Sequence, residues 1–136
     1  MTSRGIRNNN PGNIDFNPSN QWKGLLPPNP TIESRFCRFE SPECGIRAIM
    51  CLLRNYQQKY NLNSIFSLIH RYAPDVENDT SSYVKNVAQS LGVDSNEKIS
   101  TDDKNTLIAL TKAIIQHENG SQPYSDKTYE KAYSLI

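Results

Sequence analysis

The arrangement of hydrophobic and polar residues is helical from residue 41 onward. Ser41 is a suitable N-cap, Pro42 stands at the first helical position, and apolar residues then recur at intervals of three and four. This spacing predicts a first helix over 42–60. Capping residues and terminating glycine or proline residues predict four more helices: 64–72 with Asn63 as its cap, 81–91 with Asp79 or Thr80 as its cap, one that begins at 100–103 and ends at Gly120, and one that begins at Ser125 and Asp126.

The first forty residues follow a different pattern. They contain five of the eight prolines and most of the asparagine clusters, and such residues favour turns. Two stretches between these turns, 13–16 and 32–39, alternate weakly and predict a small sheet or hairpin. The sequence therefore predicts a mainly α fold of the α+β type, with a turn- and β-rich segment at 1–40 and helices over 41–136.

Length and composition predict a single domain. The chain has 136 residues, of which 36% are hydrophobic, and single domains commonly have about 100–200 residues. No apolar run reaches the roughly 18–20 residues of a membrane span, and the first residues do not resemble a signal peptide. We expect residues 1–136 to form one domain that is made in the cytoplasm and has no membrane span.

Charge and cysteine content bear on the partners of the protein. Residues 1–72 carry nine Lys and Arg against four Asp and Glu, and residues 73–136 carry six against ten. No basic cluster is dense enough for a nucleic-acid site. The cysteines Cys37, Cys44 and Cys51 lack metal-site spacing, and the last two are too far apart along one predicted helix for a disulfide. We expect reduced thiols, no nucleic-acid partner, no metal and no cofactor.

Glu118 is the carboxylate that stands out. It lies at the end of the most apolar predicted helix, directly before Asn119 and Gly120. The negative end of the helix dipole and apolar neighbours both favour the neutral form of a carboxyl group at such a place. A neutral carboxyl group can donate a proton, although a solvated glutamate in a last helical turn has the same sequence pattern.

Three other groups of residues are candidate binding sites. The asparagine turn at 8–13 can bind a hydroxylated or acetamido-bearing ligand, or it can be an ordinary turn. Trp22 is either a core anchor or a platform for a sugar ring, and 77–83 combines polar groups that also suit an ordinary helix cap. The substrate-binding candidates from these groups are Asn9, Asn10, Asn13, Trp22, Glu77, Asp79, Thr80 and Tyr83.

Four blocks of sequence resemble a group of small phage-virion and secreted cell-wall lytic proteins. The blocks are RGIRNNNPGNI at 4–14, WKG at 22–24, FESPECGIRA at 39–48, and 72–83 with its Tyr-Ala-Pro start and final tyrosine. Together they extend over nearly the whole chain. This resemblance implies a protein that acts on the bacterial cell wall.

A second resemblance is to lysozyme-like glucosaminidases and lytic transglycosylases, which degrade peptidoglycan. In those enzymes a helix ends in a catalytic glutamate, and an Asn-Asn turn, a Trp-x-Gly, a Thr-x-Glu and a helix with a tyrosine follow. Similar blocks occur here in the same order, at Asn9-Asn10, Trp22, Thr31–Glu33 and Tyr83. The segment 107–120 resembles the leading helix but lies on the C-terminal side. The hypothesis is therefore a circularly permuted lysozyme-like domain.

The resemblance implies cleavage of the peptidoglycan glycan strand, as a muramidase or a lytic transglycosylase. Glu118 would be the general acid that protonates the oxygen between N-acetylmuramic acid and N-acetylglucosamine. Glu33 matches the Thr-x-Glu position and would be the nucleophile or base, with Asp79 and Glu77 as alternatives. If no carboxylate lies opposite Glu118, attack by the muramyl 6-hydroxyl, as in lytic transglycosylases, is preferred.

Such an enzyme would act on the cell wall or in the periplasm after lysis, or after delivery by a virion or a secretion machine. Its further partners would be that delivery particle and an immunity protein. Two other functions stay open: a non-catalytic wall-binding or virion structural protein that grips glycan through the asparagine turn and Trp22, and a peptidoglycan endopeptidase. A cysteine peptidase would need a thiol paired with His70 or His117.

Overall fold

Six helices form the scaffold in a computed structural model that describes residues 2–76 and 78–136. In chain order they are α1 (Arg4–Arg7), α2 (Pro42–Tyr60), α3 (Ile65–Tyr72), α4 (Thr80–Leu91), α5 (Lys104–Asn119) and α6 (Asp126–Ser134). The fold is mainly α, which confirms the predicted class.

The five longer helices begin and end close to the predicted residues. The Ser41 hydroxyl accepts a hydrogen bond from the backbone N–H of Cys44 at 3.2 Å, as an N-cap does. Glycines in the left-handed conformation end α4 and α5, as predicted. The cap of α3 is Ser64 and not Asn63, because Ser64 and Ser67 form a reciprocal capping box. The single turn of α1 is too short to produce a hydrophobic period, so it was not predicted.

The predicted N-terminal hairpin is reduced to isolated pairs. In the described part of the chain, antiparallel bridges join Asp15 to Phe36 and Leu25 to Phe39. The two segments predicted to pair therefore do lie side by side. Asn13 interrupts the extended backbone at one end because its φ is 50°, in the left-handed region.

The hydrophobic core lies between α2 and α5, with α4 packed against α5 and α6 against α2. Ile46, Ile49 and Leu53 of α2 and Leu110 and Ile114 of α5 have no exposed surface. Burial of each such side chain stabilises the fold by about 1.5–3 kcal/mol. Helix α5 also contacts α1, so the packing of the core brings the end of α5 next to the N-terminal turn.

Helices that could cross a membrane are absent from the described residues, since none is both long and apolar enough.

The three cysteines are free thiols. Cys37 and Cys44 are buried, and burial raises the pKa of the Cys37 thiol to about 11. Cys37 is therefore a neutral thiol at neutral pH.

Candidate active site

The Glu118 carboxylate lies in the last turn of α5, where it is half-buried and hydrogen-bonded through both oxygens. The amide of Asn13 donates to Oε1 at 2.9 Å across 105 sequence positions. The hydroxyl of Tyr83 in α4 donates to Oε2, also at 2.9 Å. Three segments that are distant in sequence thus meet at one carboxyl group.

Tyr83 supplies a fixed donor to this carboxyl group. Its side chain is almost completely buried. Burial is the largest cause that raises the pKa of Tyr83 well above its usual value, with Tyr72 and Glu118 adding to the effect. The ring stacks on His117, with the ring centroids 3.8 Å apart. Tyr83 is therefore a neutral phenol in a defined position, and it donates its proton in the hydrogen bond to Glu118.

The asparagine turn is attached to two helices around Glu118. Asn119 at the end of α5 donates its side-chain amide to the carbonyl oxygen of Pro11 at 2.7 Å. The hydroxyl of Tyr72 in α3 donates to the carbonyl oxygen of Gly12, also at 2.7 Å. Asn13 then takes a left-handed conformation that asparagine adopts more readily than most residues. These contacts fix the direction of the Asn13 side chain toward Glu118.

A cleft of about 130 Å³ opens beside Glu118. It shares Gly12, Asn13, Asp15 and Tyr72 with a neighbouring cleft of about 250 Å³ that extends to Trp22. We call the two together the Glu118 groove. The other residues that line it are Ile14, Asn17, Asn20, Arg35, Phe36, Leu52, Tyr56, Ala73 and Asn78.

Asp15 is a second carboxylate of the Glu118 groove, and sequence reasoning missed it. Its Oδ1 accepts a hydrogen bond from Nε of Arg35 at 2.7 Å, and both side chains are about half exposed. The Arg35 guanidinium also lies over the Phe36 ring, 4.7 Å from its centroid. No motif marks Asp15 in the sequence. Its only signal is its place two residues after Asn13.

Glu33, the predicted second catalytic group, lies in a different environment. Its two oxygens accept hydrogen bonds from Nε and Nη2 of Arg4 at 2.7 and 2.6 Å, and its side chain is only 1% exposed. Asn8 and the backbone N–H groups of Arg35 and Phe36 donate as well. The bonds from Arg4, with help from the other donors, hold the pKa of Glu33 well below its usual range. This geometry gives no support to a catalytic Glu33, because every side of the carboxylate is occupied.

Within the asparagine turn, the candidates differ in their surroundings. Asn10 is completely buried, and its amide donates to the carbonyl oxygens of Ile14 and Cys37 at 3.0 Å. Asn9 donates to the carbonyl oxygen of Phe39 at 3.2 Å. Both side chains hold the turn itself, and Asn13 is the candidate of this turn that reaches Glu118.

The candidates around the start of α4 also have different roles: some hold the start of the helix, and one contacts Glu118. Asp79 caps α4 by accepting from the N–H of Ser82 at 3.2 Å. Thr80 is completely buried and donates to the carbonyl oxygen of Ala73. Glu77 lies outside the described residues. Of the candidates in this region, the structure brings Tyr83 to Glu118.

A larger cleft of about 470 Å³ lies between α3 and α4, away from Glu118. Phe66, Val84 and Ala88 are among the residues that line it, and the described lining residues include no carboxylate. Carboxyl groups are among the side chains that commonly transfer protons in enzymes. The smaller Glu118 groove is therefore the better candidate for an active site.

Comparison with known proteins gives the family of the chain. No family model matches it. Protein P5 of Pseudoalteromonas phage PM2 is 41% identical over 135 residues, which cover 96% of this chain and 80% of the phage protein. The chain belongs to the Protein P5 family. The similarity to Protein P5 extends over the segments that carry Asn13, Tyr83 and Glu118, because so little of the chain lies outside it.

Proposed function

We propose that this protein cleaves the glycan strand of peptidoglycan, with Glu118 as the general acid. One observation carries the proposal: the Glu118 carboxyl group ends an apolar helix inside a groove and is held there by Asn13 and Tyr83. The resemblance to lysozyme-like enzymes predicts that the glutamate and the asparagine turn act together. Their contact supports the idea of a permuted domain, since the two come from opposite ends of the chain.

In the proposed reaction, Glu118 transfers a proton to the oxygen between N-acetylmuramic acid and N-acetylglucosamine. The bond from C1 to that oxygen breaks through an oxocarbenium-like transition state. Asn13 and Tyr83 hold the carboxyl group in place and stabilise the carboxylate that remains after proton transfer. Water or the muramyl 6-hydroxyl completes the reaction at C1, as in a muramidase or a lytic transglycosylase respectively.

The rest of the Glu118 groove suits a carbohydrate. Trp22, Tyr56 and Tyr72 offer aromatic surface, while Asn17 and Asn20 offer polar groups. Among the described residues, no group accepts a hydrogen bond from the buried indole N–H of Trp22.

The alternatives of a peptidase or a binding module lead to different products. A thiol peptidase has less support, because His117 stacks on Tyr83 and His70 bonds to the Phe66 carbonyl oxygen. Neither histidine has a hydrogen bond to a thiol within the described part of the chain. A wall-binding module would use the same groove and release no product.

Delivery to the wall is part of the proposal. The similar protein comes from a phage, which favours phage lysis or a virion over a secretion machine as the route. Passage through the wall is a step at which a phage needs peptidoglycan cleavage. An immunity protein belongs to the secretion route and is therefore the less favoured partner.

The test is the incubation of purified peptidoglycan with the protein and with Glu118→Gln, followed by mass spectrometry of the soluble fragments. We expect glycan fragments from the unaltered protein and a loss of about 10²–10⁴-fold in Glu118→Gln, which is the range for a general acid. Glu97→Gln is the matched control, since Glu97 is exposed and lies outside the groove. Equal activity in Glu118→Gln would exclude the assignment, and new free amino groups would mean a peptidase.

A further inference from the structure

Among the described residues, two carboxylates line the Glu118 groove, and the second suggests which glycan-cleaving reaction takes place. Resting on the proposed function, we infer that Asp15 is the general base that activates water, so that the protein is an inverting hydrolase. Asp15 and Glu118 both line the 130 Å³ cleft.

Asp15 and Glu118 line the same cleft of about 130 Å³. Among the described hydrogen bonds, none joins the two carboxyl groups. Inverting enzymes hold their carboxyl groups about 6.5–9.5 Å apart so that water fits between substrate and base, whereas retaining enzymes hold them about 5–5.5 Å apart.

The two carboxyl groups have different partners. Asp15 is ion-paired with Arg35 at 2.7 Å, whereas Glu118 accepts hydrogen bonds from the neutral Asn13 amide and the neutral Tyr83 phenol. The ion pair with Arg35 therefore holds the Asp15 carboxylate in the groove, in a place separate from the donors that hold Glu118.

Two of the other carboxylates considered for this role, Glu33 and Asp79, are occupied elsewhere, and Glu77 lies outside the described residues. Glu33 is enclosed by Arg4 and Asn8, with a side chain that is 1% exposed. Asp79 accepts hydrogen bonds from the backbone and hydroxyl of Ser82 at the start of α4. Asp15 keeps about half of its side chain exposed within the groove, so a water molecule can reach it.

The inferred step is balanced by two proton transfers. Asp15 takes a proton from water while the water oxygen forms a bond to C1 of the sugar. The bond between C1 and the glycosidic oxygen breaks, and Glu118 gives that oxygen its proton. The products are two shorter glycans, one with a new reducing end whose configuration at C1 is inverted.

Three variants test the base. Asp15→Asn removes the base, Arg35→Gln keeps the carboxylate but removes its ion pair, and Asp94→Asn is the control at an exposed turn. We expect Asp15→Asn to lose about 10²–10⁴-fold in glycan release. Arg35→Gln should lose about tenfold or less, and Asp94→Asn should be unchanged. Sodium azide should restore turnover in Asp15→Asn as a glycosyl azide, because azide attacks C1 without a base.

Each result decides the inference. Inverted reducing ends in the proton NMR spectrum of fresh products, together with azide rescue, would support it. Anhydro products from the unaltered protein, an active Asp15→Asn, or equal losses in Asp15→Asn and Arg35→Gln without rescue would overturn it. If one of these results is obtained and Glu118→Gln is inactive, Glu118 remains the proposed general acid and only the role of Asp15 is excluded. If the unaltered protein releases no glycan, the proposed function fails and the inference falls with it.

Discussion

Tyr83 combines core packing with a hydrogen bond to the Glu118 carboxylate. Its ring is buried against His117 while its hydroxyl donates to Glu118. A buried hydroxyl without a partner is costly, so the pairing with Glu118 also serves the stability of the fold. The sequence places Tyr83 on the inner face of a helix, but which acceptor it meets there depends on α5.

Tyr83→Phe separates these two contributions. The variant keeps the ring and its stacking but removes one donor to Glu118. We expect glycan release to fall about 10–100-fold, since a hydrogen bond to a charged group is worth about 1.5–3 kcal/mol, while the circular dichroism spectrum stays the same. Tyr129→Phe is the matched control, because Tyr129 is equally buried and donates to Gln122 at 2.6 Å. Equal loss of activity in both variants would contradict the role of Tyr83.

Glu33 is enclosed by hydrogen-bond donors, which the sequence pattern around it does not indicate. In the structure, Glu33 joins α1 to the segment that carries Arg35 and Phe36 through buried hydrogen bonds. Arg4 remains 45% exposed, so solvent screens part of this ion pair. The contribution of this contact to stability therefore comes mainly from the hydrogen bonds that the buried carboxylate accepts.

The lowered pKa of Glu33 predicts loss of stability in acid. A group whose pKa is lower in the folded state stabilises the fold above its unfolded pKa of about 4.3, and the effect is lost as the pH falls below that value. Glu33→Gln should therefore lower the free energy of unfolding by about 2–3 kcal/mol at pH 7. Urea unfolding at pH 7 and pH 3 measures the difference, which should shrink in acid. A difference that is constant with pH would contradict the ionic role.

At the scale of elements, the sequence predicted the helices well because their signals are local. Ser41, Ser125 and Gly120 mark ends that do not depend on distant contacts. The N-terminal segment was predicted less well. Its turns are held by Asn10 and Glu33, which bond to groups far along the chain, and local pattern rules carry no information on such bonds.

Gly45 is the point at which α2 meets the asparagine turn. A methyl group there would overlap the backbone oxygen of Asn9. Gly45→Ala should destabilise the fold by about 1–3 kcal/mol through overpacking, and it should lower glycan release because the turn carries Asn13. Thermal unfolding and the glycan assay measure the two effects.

Gly92→Ala is the control for this prediction. Gly92 has a φ of 68° and nothing within 4 Å of an added methyl group. Its replacement by alanine should lower the free energy of unfolding by about 1–2 kcal/mol through backbone strain. Glycan release, measured at a temperature at which the variant is folded, should be unchanged. If Gly45→Ala also kept full activity, the packing of the turn on α2 would not matter for the site.

For the whole molecule, the sequence by itself determined the mainly α class, the ends of the helices and the importance of Glu118 as a candidate. These results follow from the spacing of apolar residues, from the capping residues and from the position of Glu118 at the end of an apolar helix. All three are properties of residues that are close together in the sequence. Only the tertiary structure decided what Glu118 meets. Asn13 approaches it across 105 positions, Asp15 shares its cleft, and Glu33 is enclosed by Arg4. Core packing sets these distances, because it fixes where α5 ends relative to the N-terminal turn.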